Sequence, residues 1–286
     1  FIPKTIICHE GEGQEVKLNC NYDDEYIDLS YIVKQYNNAQ REHSLTIKRF
    51  ISESDETFEV LGLLQAEMSK TQNGCFNFTN NQFKIIKKVM EWFKKELKVN
   101  YDIWRWYIKI NTNEPVDLDY KNKIENKVIN HWITKTKINL DKTYPKSVSY
   151  IKNTKNKILR LHDYGTLILE YKNYLFSIII KNFVKSILLQ MPYMNEKFIR
   201  SYMKGIIAGE STVELYKPDK RYRVYISASK EEDKDIFQKC LTKLGISSKK
   251  YGDDKLIISK KENNIQLLKQ RLMTIHPAKY SKFLTM

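Results

Sequence analysis

Two segments of this chain place a carboxylate in the same local setting. The first is Val60-Leu61-Gly62-Leu63-Leu64-Gln65-Ala66-Glu67-Met68, and the second is Met203-Lys204-Gly205-Ile206-Ile207-Ala208-Gly209-Glu210-Ser211. Each carries a glycine, a small residue four positions on (Ala66 or Gly209) and a glutamate directly after it. Residues four apart share one helix face, and a small-x-x-x-small face lets two helix backbones approach closely. Each glutamate closes its helix, where the macrodipole is negative and a further carboxylate is unfavourable. One such acid alone would be answered by a neighbouring lysine. Two in matched positions, on helices shaped to pack against each other, point to a shared cation. Hard divalent ions such as Mg²⁺ take carboxylate and phosphate oxygens together.

The elements that position the second acid are legible downstream of it. Asn195 caps a helix over 196–209 with Phe198, Ile199, Tyr202, Met203 and Ile206 on its apolar stripe. Two strands follow, broken by the turn signal Lys217-Pro218-Asp219. The second strand puts Arg221, Arg223, Tyr225 and Ser227 on one face and Tyr222, Val224 and Ile226 on the other. Ser229-Lys230-Glu231-Glu232 reads as a capping box for a helix with Ile236, Phe237, Cys240, Leu241 and Leu244 inward, ended by Gly245. A short strand over 256–259 and a last helix carrying Ile265, Leu268, Leu272 and Ile275 complete an α-β-β-α-β-β-α order.

The block around the first acid reads as a diverged, expanded copy. A helix over 57–69, a strand over 75–79 and an amphipathic helix with Ile86, Val89, Met90, Phe93 and Leu97 come first. The strand over 104–111 alternates, with Trp104, Trp106, Ile108 and Ile110 inward and Arg105, Tyr107, Lys109 and Asn111 outward. A polar helix over 118–135 has no counterpart in the later block; strands over 147–152 and 166–171 then lead into an apolar helix over 175–189. Residues 1–57 show strand-like pieces at 15–19 and 44–49 that the sequence alone does not assemble. The expected fold is therefore α+β: an N-terminal acidic extension (1–57), a first repeat (58–192) and a second repeat (193–286).

The chain has 286 residues, enough for one large domain or two modest ones. Lys+Arg 49 against Asp+Glu 34 leaves +15, with a pI near 9.4. That charge is unevenly spread: residues 1–57 carry −5, 58–192 carry +11 and 193–286 carry +9. A basic balance of this size points to a polyanion, nucleic acid before a membrane surface. Lysine-rich surfaces also simply keep proteins soluble, so charge needs a second signal. The longest apolar stretches are broken by Lys181, Asn182 and Lys185, so no membrane span is expected. The start, Phe1-Ile2-Pro3-Lys4, does not read as a signal peptide. Cys8, Cys20, Cys75 and Cys240 are too few for a disulfide framework. An intracellular location (cytoplasmic, nucleoid-associated or organellar, not secreted) is expected.

The paired segments resemble the motif of the LAGLIDADG homing endonucleases, in the single-chain form that carries two motifs. Gly62 and Gly205, Ala66 and Gly209, and Glu67 and Glu210 align with the G, A and D of that motif. The resemblance implies two pseudo-symmetric αββαββα halves packed through their motif helices, each presenting a curved sheet to the DNA major groove. It implies that the acids bind divalent metal beneath the minor groove, so that Glu67 and Glu210, together with Ala66 and Gly209, are the metal-binding residues. Mg²⁺ or Mn²⁺ would support cleavage by activating water and neutralising the leaving oxygen, and Ca²⁺ would support binding without efficient cleavage. Aligning Leu167-Ile168-Leu169 with Leu256-Ile257-Ile258 puts Lys172 and Lys261 at the basic positions that the resemblance assigns to the active site, with Lys260 one step away. The DNA-contacting set is then Arg105, Tyr107 and Lys109 in one half, and Tyr216, Lys217, Lys220, Arg221, Arg223, Tyr225, Lys249 and Lys250 in the other. Arginine suits guanine edges, and phosphates take several of the lysines.

The implied protein is a monomer that cuts both strands of a long double-stranded DNA site, intron-encoded or free-standing, with no membrane partner. Two departures keep a second reading open. The residue after the acid, glycine in the family, is Met68 or Ser211 here, and Gln65 and Ala208 stand where the motif has its first aspartate. A non-cleaving binder on the same scaffold, either a maturase acting on intron RNA or a transcription factor, fits those departures. Elsewhere the plainer readings hold. Cys8-His9 and Cys20 lack the paired spacing of a zinc site. His131, His162 and His276 stand alone, and Trp92, Trp104, Trp106 and Trp132 are expected in packing roles.

Overall fold

Alternation of apolar and polar side chains makes the N-terminal segment two small sheets. In the computed structural model the described residues are 5–8, 14–34, 40–69, 75–100, 103–112, 117–136, 147–152, 164–216 and 221–284. A hairpin of β1 (Thr5–Cys8) and β2 (Gln14–Lys17) is followed by three antiparallel strands, β3 (Asn19–Tyr22), β4 (Tyr26–Lys34) and β5 (Gln40–Lys48), in that order. Leu29, Tyr31 and Val33 of β4 and Leu45 and Ile47 of β5 are buried, and Leu29 faces Leu45 across the ladder. The neighbouring pair, Tyr31 and His43, stack with ring centroids 4.8 Å apart. Such cross-strand pairs are what hold a small sheet in register. The pieces seen in the sequence at 15–19 and 44–49 are thus parts of two longer strand systems.

The chain divides by contact into two compact units. One comprises Phe1–Ile51 with Ser69–Ile180; the other comprises Ser52–Met68 with Lys181–Met286. The contact division differs from the repeat boundaries read from sequence, because the first motif helix, α1 (Asp55–Glu67), clusters with the C-terminal unit.

The first unit continues with β6 (Phe76–Asn80), α2 (Phe83–Leu97), β7 (Arg105–Thr112), α3 (Leu118–Thr136), β8 (Ser147–Lys152), β9 (Thr166–Tyr171) and the start of α4 (Tyr174–Gln190). The sheet order is β6-β9-β7-β8, and β7 and β8 are parallel. Parallel neighbours need a long crossover, and α3 supplies it. The aromatic residues of the inward strand faces meet those of the helices: Phe76 lies 5.3 Å from Phe93 and from Phe176, and Phe93 lies 5.3 Å from Trp104. Trp104, Trp106, Ile108 and Ile110 are buried, as their alternation requires. Trp132 is also buried, and its indole Nε1–H donates to the Tyr164 carbonyl at 2.9 Å.

The second unit runs from the end of α4 through a 3₁₀ turn (Met191–Tyr193) to α5 (Glu196–Glu210), β10 (Ser211–Tyr216), β11 (Arg221–Ser227), α6 (Glu231–Lys243), β12 (Lys249–Tyr251), β13 (Lys255–Ile258), α7 (Lys261–Lys269) and α8 (Pro277–Leu284). Its antiparallel sheet has the order β10-β11-β13-β12. This is the expected αββαββα order with one helix added. The two sheets correspond when β6 is set against β11, β9 against β13 and β7 against β12. On that match the expansion of the first repeat is α3 plus β8, added at the sheet edge next to β7.

Three sequence expectations are corrected. The capping box at Ser229 does not form: the N-cap is Lys230, without a side-chain cap bond, and Glu231, Glu232 and Asp233 face the helix dipole instead. The last helix is broken in two, with Arg271 in the left-handed region between α7 and α8. The buried apolar residues are Leu267 in α7, Leu272 and Met273 in the break and Phe283 in α8, and Ile265 is exposed. Finally, Tyr174–Tyr193 is long and apolar enough, by length and composition, to cross a membrane. Its buried residues Leu175, Phe176, Ile180, Val184 and Leu188 fit a core helix equally well. Gly245 does what the sequence implies: at φ +70° it follows α6, while the Ile246 amide reaches back to the Leu241 carbonyl.

Candidate metal centre and nucleic-acid surface

The site begins with two helix starts. The Ser54 hydroxyl accepts from the Thr57 amide at the head of α1, and the Asn195 side chain accepts from the Phe198 amide at the head of α5. These caps satisfy amide groups that a helix N-terminus otherwise leaves unpaired. The two helices then run side by side within the C-terminal unit. Phe58 stacks on Phe198 at 4.4 Å, the Ser201 hydroxyl donates to Asp55 at 2.8 Å, and Lys204 pairs with Glu59 at 3.2 Å.

At the crossing the backbones touch through the motif glycines. A β-carbon on Gly62 would stand 2.1 Å from the Tyr202 carbonyl oxygen; one on Gly205 would stand 2.2 Å from the Glu59 carbonyl oxygen. Gly62 corresponds to Gly205 in the motif, and Glu59 corresponds to Tyr202, so each helix offers the other the same contact. That reciprocity is the mark of a local twofold. One turn on, a β-carbon on Gly209 would lie 2.4 Å from the Ala66 β-carbon and 3.3 Å from Glu67 Oε1. The first acid thus lies against the backbone of the second motif, one residue before the second acid. Glu67 and Glu210 are both half-buried.

The exits from the two helices also match. The Met68 amide donates to the Leu64 carbonyl, and the Ser211 amide donates to the Ile207 carbonyl. Met68 (φ −74°, ψ 137°) and Ser211 (φ −91°, ψ 151°) both take extended backbone. Neither angle requires glycine, so the departures from the motif at these positions cost the exit turn no strain. The buried Ser211 hydroxyl donates to the Ile207 carbonyl at 2.6 Å.

A lysine that sequence reasoning missed completes the arrangement. Lys279 Nζ donates to the carbonyls of Ala208 (2.6 Å) and Gly209 (3.0 Å), with Ile207 at 3.4 Å. These are carbonyls of the last turn of α5, the negative end of the helix; Ile207 already accepts from Ser211, and the Ala208 and Gly209 carbonyls lie beyond the last i→i−4 bond. Burial pushes the Lys279 ammonium down to about 8, against the pull of the nearby Glu67 and Glu210 carboxylates. Its helix, α8, opens at Pro277 behind His276, whose Nδ1 accepts from the Lys279 amide at 3.2 Å. The signal for α8 is in the sequence, since proline suits the first helical position. A separation of 70 positions between Lys279 and Gly209 hides its partner.

The donor set suits a hard divalent ion in part. A half-buried carboxylate closes each helix with backbone carbonyls beside it, which is the oxygen chemistry such ions take. The Gly209 carbonyl is engaged by Lys279. Among the described residues no group of three or more His, Cys, Asp or Glu side chains forms a metal cluster, so further ligands would have to come from water or a bound phosphate. Of the two lysines aligned with the active site, Lys172 is exposed and lies 3.8 Å from Glu170, and Lys261 is exposed in the first turn of α7, after Lys260.

The strand residues proposed to contact DNA fall into two sets, one on each sheet. On β7, Arg105, Tyr107 and Lys109 share one face, opposite Glu170, Ile168 and Thr166 of β9. Glu170 is therefore an acid within the basic face, across from Arg105 and beside Lys172. Burial, then the Glu170 charge, raises the Tyr107 hydroxyl. On the second sheet Arg223 faces Glu214, and its guanidinium lies 3.3 Å from the Tyr216 ring centroid. Thr212, Tyr225, Ile257 and Lys249 form one row across four strands, and Tyr225 and Tyr251 meet at 5.5 Å. Lys250, next to Lys249, belongs to the opposite face. It pairs with Asp235 at 2.6 Å and with Glu231, and those bonds raise its ammonium. Lys217 and Lys220 lie outside the described residues, and Arg221 is described in its backbone alone. His9 and His162 also lie outside them; His131 stacks on Tyr164.

No protein-family model matches the chain, and no curated protein matches it. Among solved structures it is similar to the N-terminal LAGLIDADG domain of DUF199/WhiA, at 13% identity and TM-score 0.39, over 78% of this chain and 86% of that one. It is similar to I-DmoI in a complex with DNA and Mn, at 13% identity and TM-score 0.42, over 77% of this chain and 97% of that one. Full-length DUF199/WhiA from Thermatoga maritima shares 13% identity at TM-score 0.39, over 83% of this chain and 62% of that one.

Proposed function

We propose that this chain is a LAGLIDADG-type, double-strand DNA endonuclease in which Glu67 and Glu210 hold divalent metal at the scissile phosphates. The observation that carries the reading is the reciprocal Gly62–Tyr202 and Gly205–Glu59 contact, which sets two half-buried carboxylates side by side at the ends of parallel helices. Carboxylates at the negative ends of two helices raise local negative potential, an arrangement suited to a cation and poor for stability alone. When bound, Mg²⁺ or Mn²⁺ would supply a polarised phosphate and an activated water. The protein's own part is then to aim the two carboxylates and to hold DNA. Arg105, Tyr107 and Lys109, and Arg223, Tyr225 and Lys249, would contact the duplex, with Lys172 and Lys261 exposed for the phosphates. In this reading the protein acts as an intracellular monomer on a long site and arises as an intron-encoded or free-standing enzyme.

A second reading, a non-cleaving nucleic-acid binder on DNA or intron RNA, is favoured by one observation: Lys279 already engages the Gly209 carbonyl. One experiment separates the two. DNA is selected from a random duplex library in Ca²⁺, and the bound sites are then exposed to Mg²⁺ with wild type and with Glu67→Gln/Glu210→Gln. Discrete double-strand cuts by wild type alone support the nuclease. Tight selected binding without cuts from either protein moves the assignment to a binder.

A further inference from the structure

Lys279, the α8 lysine that caps the second motif helix, has a role beyond capping. Many helices end on a basic side chain from their own last turn, but α1 and α5 carry none there. The cation at the end of α5 is instead brought by another helix, α8, whose first turn is fixed by His276 and Pro277. It binds the carbonyl of Gly209, the residue directly before Glu210 and the one whose backbone lies against Glu67. A metal held by Glu210 and the Gly209 carbonyl would need the oxygen that Lys279 holds. Two cations cannot share that oxygen without repulsion.

We propose that Lys279 is the resident cation of the acid pair, so that a divalent ion enters the α5 end of the site only by displacing its ammonium from the Gly209 carbonyl. The proposal rests on the reading of Glu67 and Glu210 as metal ligands. It makes the affinity of the free protein for metal a property of α8, some 70 residues from the second motif. Lys279 is a positioning residue here: neutralising it favours metal entry, while keeping the positive charge does not.

The test uses the full chain without DNA, so that it does not depend on cleavage. Mn²⁺ binding is followed by electron paramagnetic resonance for wild type, Lys279→Gln, Lys279→Arg and Glu67→Gln/Glu210→Gln. Lys279→Gln should bind Mn²⁺ on the order of tenfold more tightly than wild type, the direction expected when a like charge leaves the site. Lys279→Arg should match wild type, and the double glutamine variant should lose the ion. Equal affinity of folded Lys279→Gln and wild type overturns the proposal, as does the absence of Mn²⁺ binding in both. Should Lys279→Gln fail to fold, the wild-type chain with ¹³C-labelled lysine answers the same question: Ca²⁺ should shift the Lys279 Cε resonance, and an unmoved resonance overturns the proposal. Binding of duplex DNA by the same preparations reports separately on the nucleic-acid reading.

Discussion

A β-carbon on Gly62 would meet the carbonyl oxygen of Tyr202 at 2.1 Å, well inside any contact that real atoms make. The obstacle is backbone, which cannot swing aside as a side chain can. Gly62→Ala and Gly205→Ala should therefore each destabilise the protein by about 1–3 kcal/mol, in the range of overpacked cores. Alanine's better helix propensity offsets less than about 1 kcal/mol of that. Urea unfolding of each variant measures the cost. Variants as stable as wild type would mean that the helices are not in contact at these glycines.

Acid should weaken the protein through His276. Burial first, and the Lys279 charge second, lower its imidazole from 6.5 to about 4. The folded chain then binds fewer protons than the unfolded chain between those values. The contribution is fully present above about pH 6.5 and lost as the pH falls towards 4, and it amounts to on the order of 2–3 kcal/mol. Protonation would also remove the acceptor that caps α8. His276→Asn keeps a capping acceptor without the titration, so its stability should fall less than wild type between pH 6.5 and 5. Parallel curves would refute the assignment.

Two basic residues on one sheet should behave differently towards DNA. Arg223 lies on the row side of the sheet and stacks on Tyr216, whereas Lys250 is tied to Asp235 and Glu231 on the opposite face. Arg223→Ala should weaken duplex binding by about 1–3 kcal/mol, the range of a base-reading arginine. Lys250→Ala should leave affinity and its salt dependence nearly unchanged. Fluorescence anisotropy across a salt series reads both. The reverse ranking would place the nucleic acid on the α6 side.

Thiol reactivity should separate Cys20 from Cys240. Cys20 is exposed, while burial raises the Cys240 thiol to about 12. Since the thiolate is the reactive form, a colorimetric disulfide reagent should label Cys20 in the native Cys8→Ser/Cys75→Ser protein and reach Cys240 only on unfolding. Rapid native labelling of Cys240 would contradict the packing of α6.

The motif helices, their acids and the second αββαββα order were legible because each rests on local signals: a cap, a period, a glycine four residues from a small residue. The outward faces of β7 and β11 followed from strict alternation. The split between α7 and α8 was not, since Leu268, Leu272 and Ile275 mimic a continuous stripe across the break at Arg271. Lys279 escaped for a different reason. Its chemistry depends on carbonyls about 70 residues earlier, and no local pattern reports which helix end a lysine will find. Lys249 and Lys250 could not be told apart until the β12 register put them on opposite faces.

The strand beyond β7 changes how the first sheet ends. Open sheet edges invite pairing with other chains, and the two repeats meet that hazard differently. In the second repeat the edge is β12, a three-residue strand whose side chains, two of them lysines, are all exposed. It is too short and too charged to template a neighbour. In the first repeat the matching position, β7, is eight residues long and alternates aromatic and aliphatic side chains on its inner face. Left at the edge it would be a long, sticky template. Parallel β8 pairs along it, so the expansion that sets the first repeat apart takes β7 out of the edge position and leaves there the six-residue β8, which ends in Lys152.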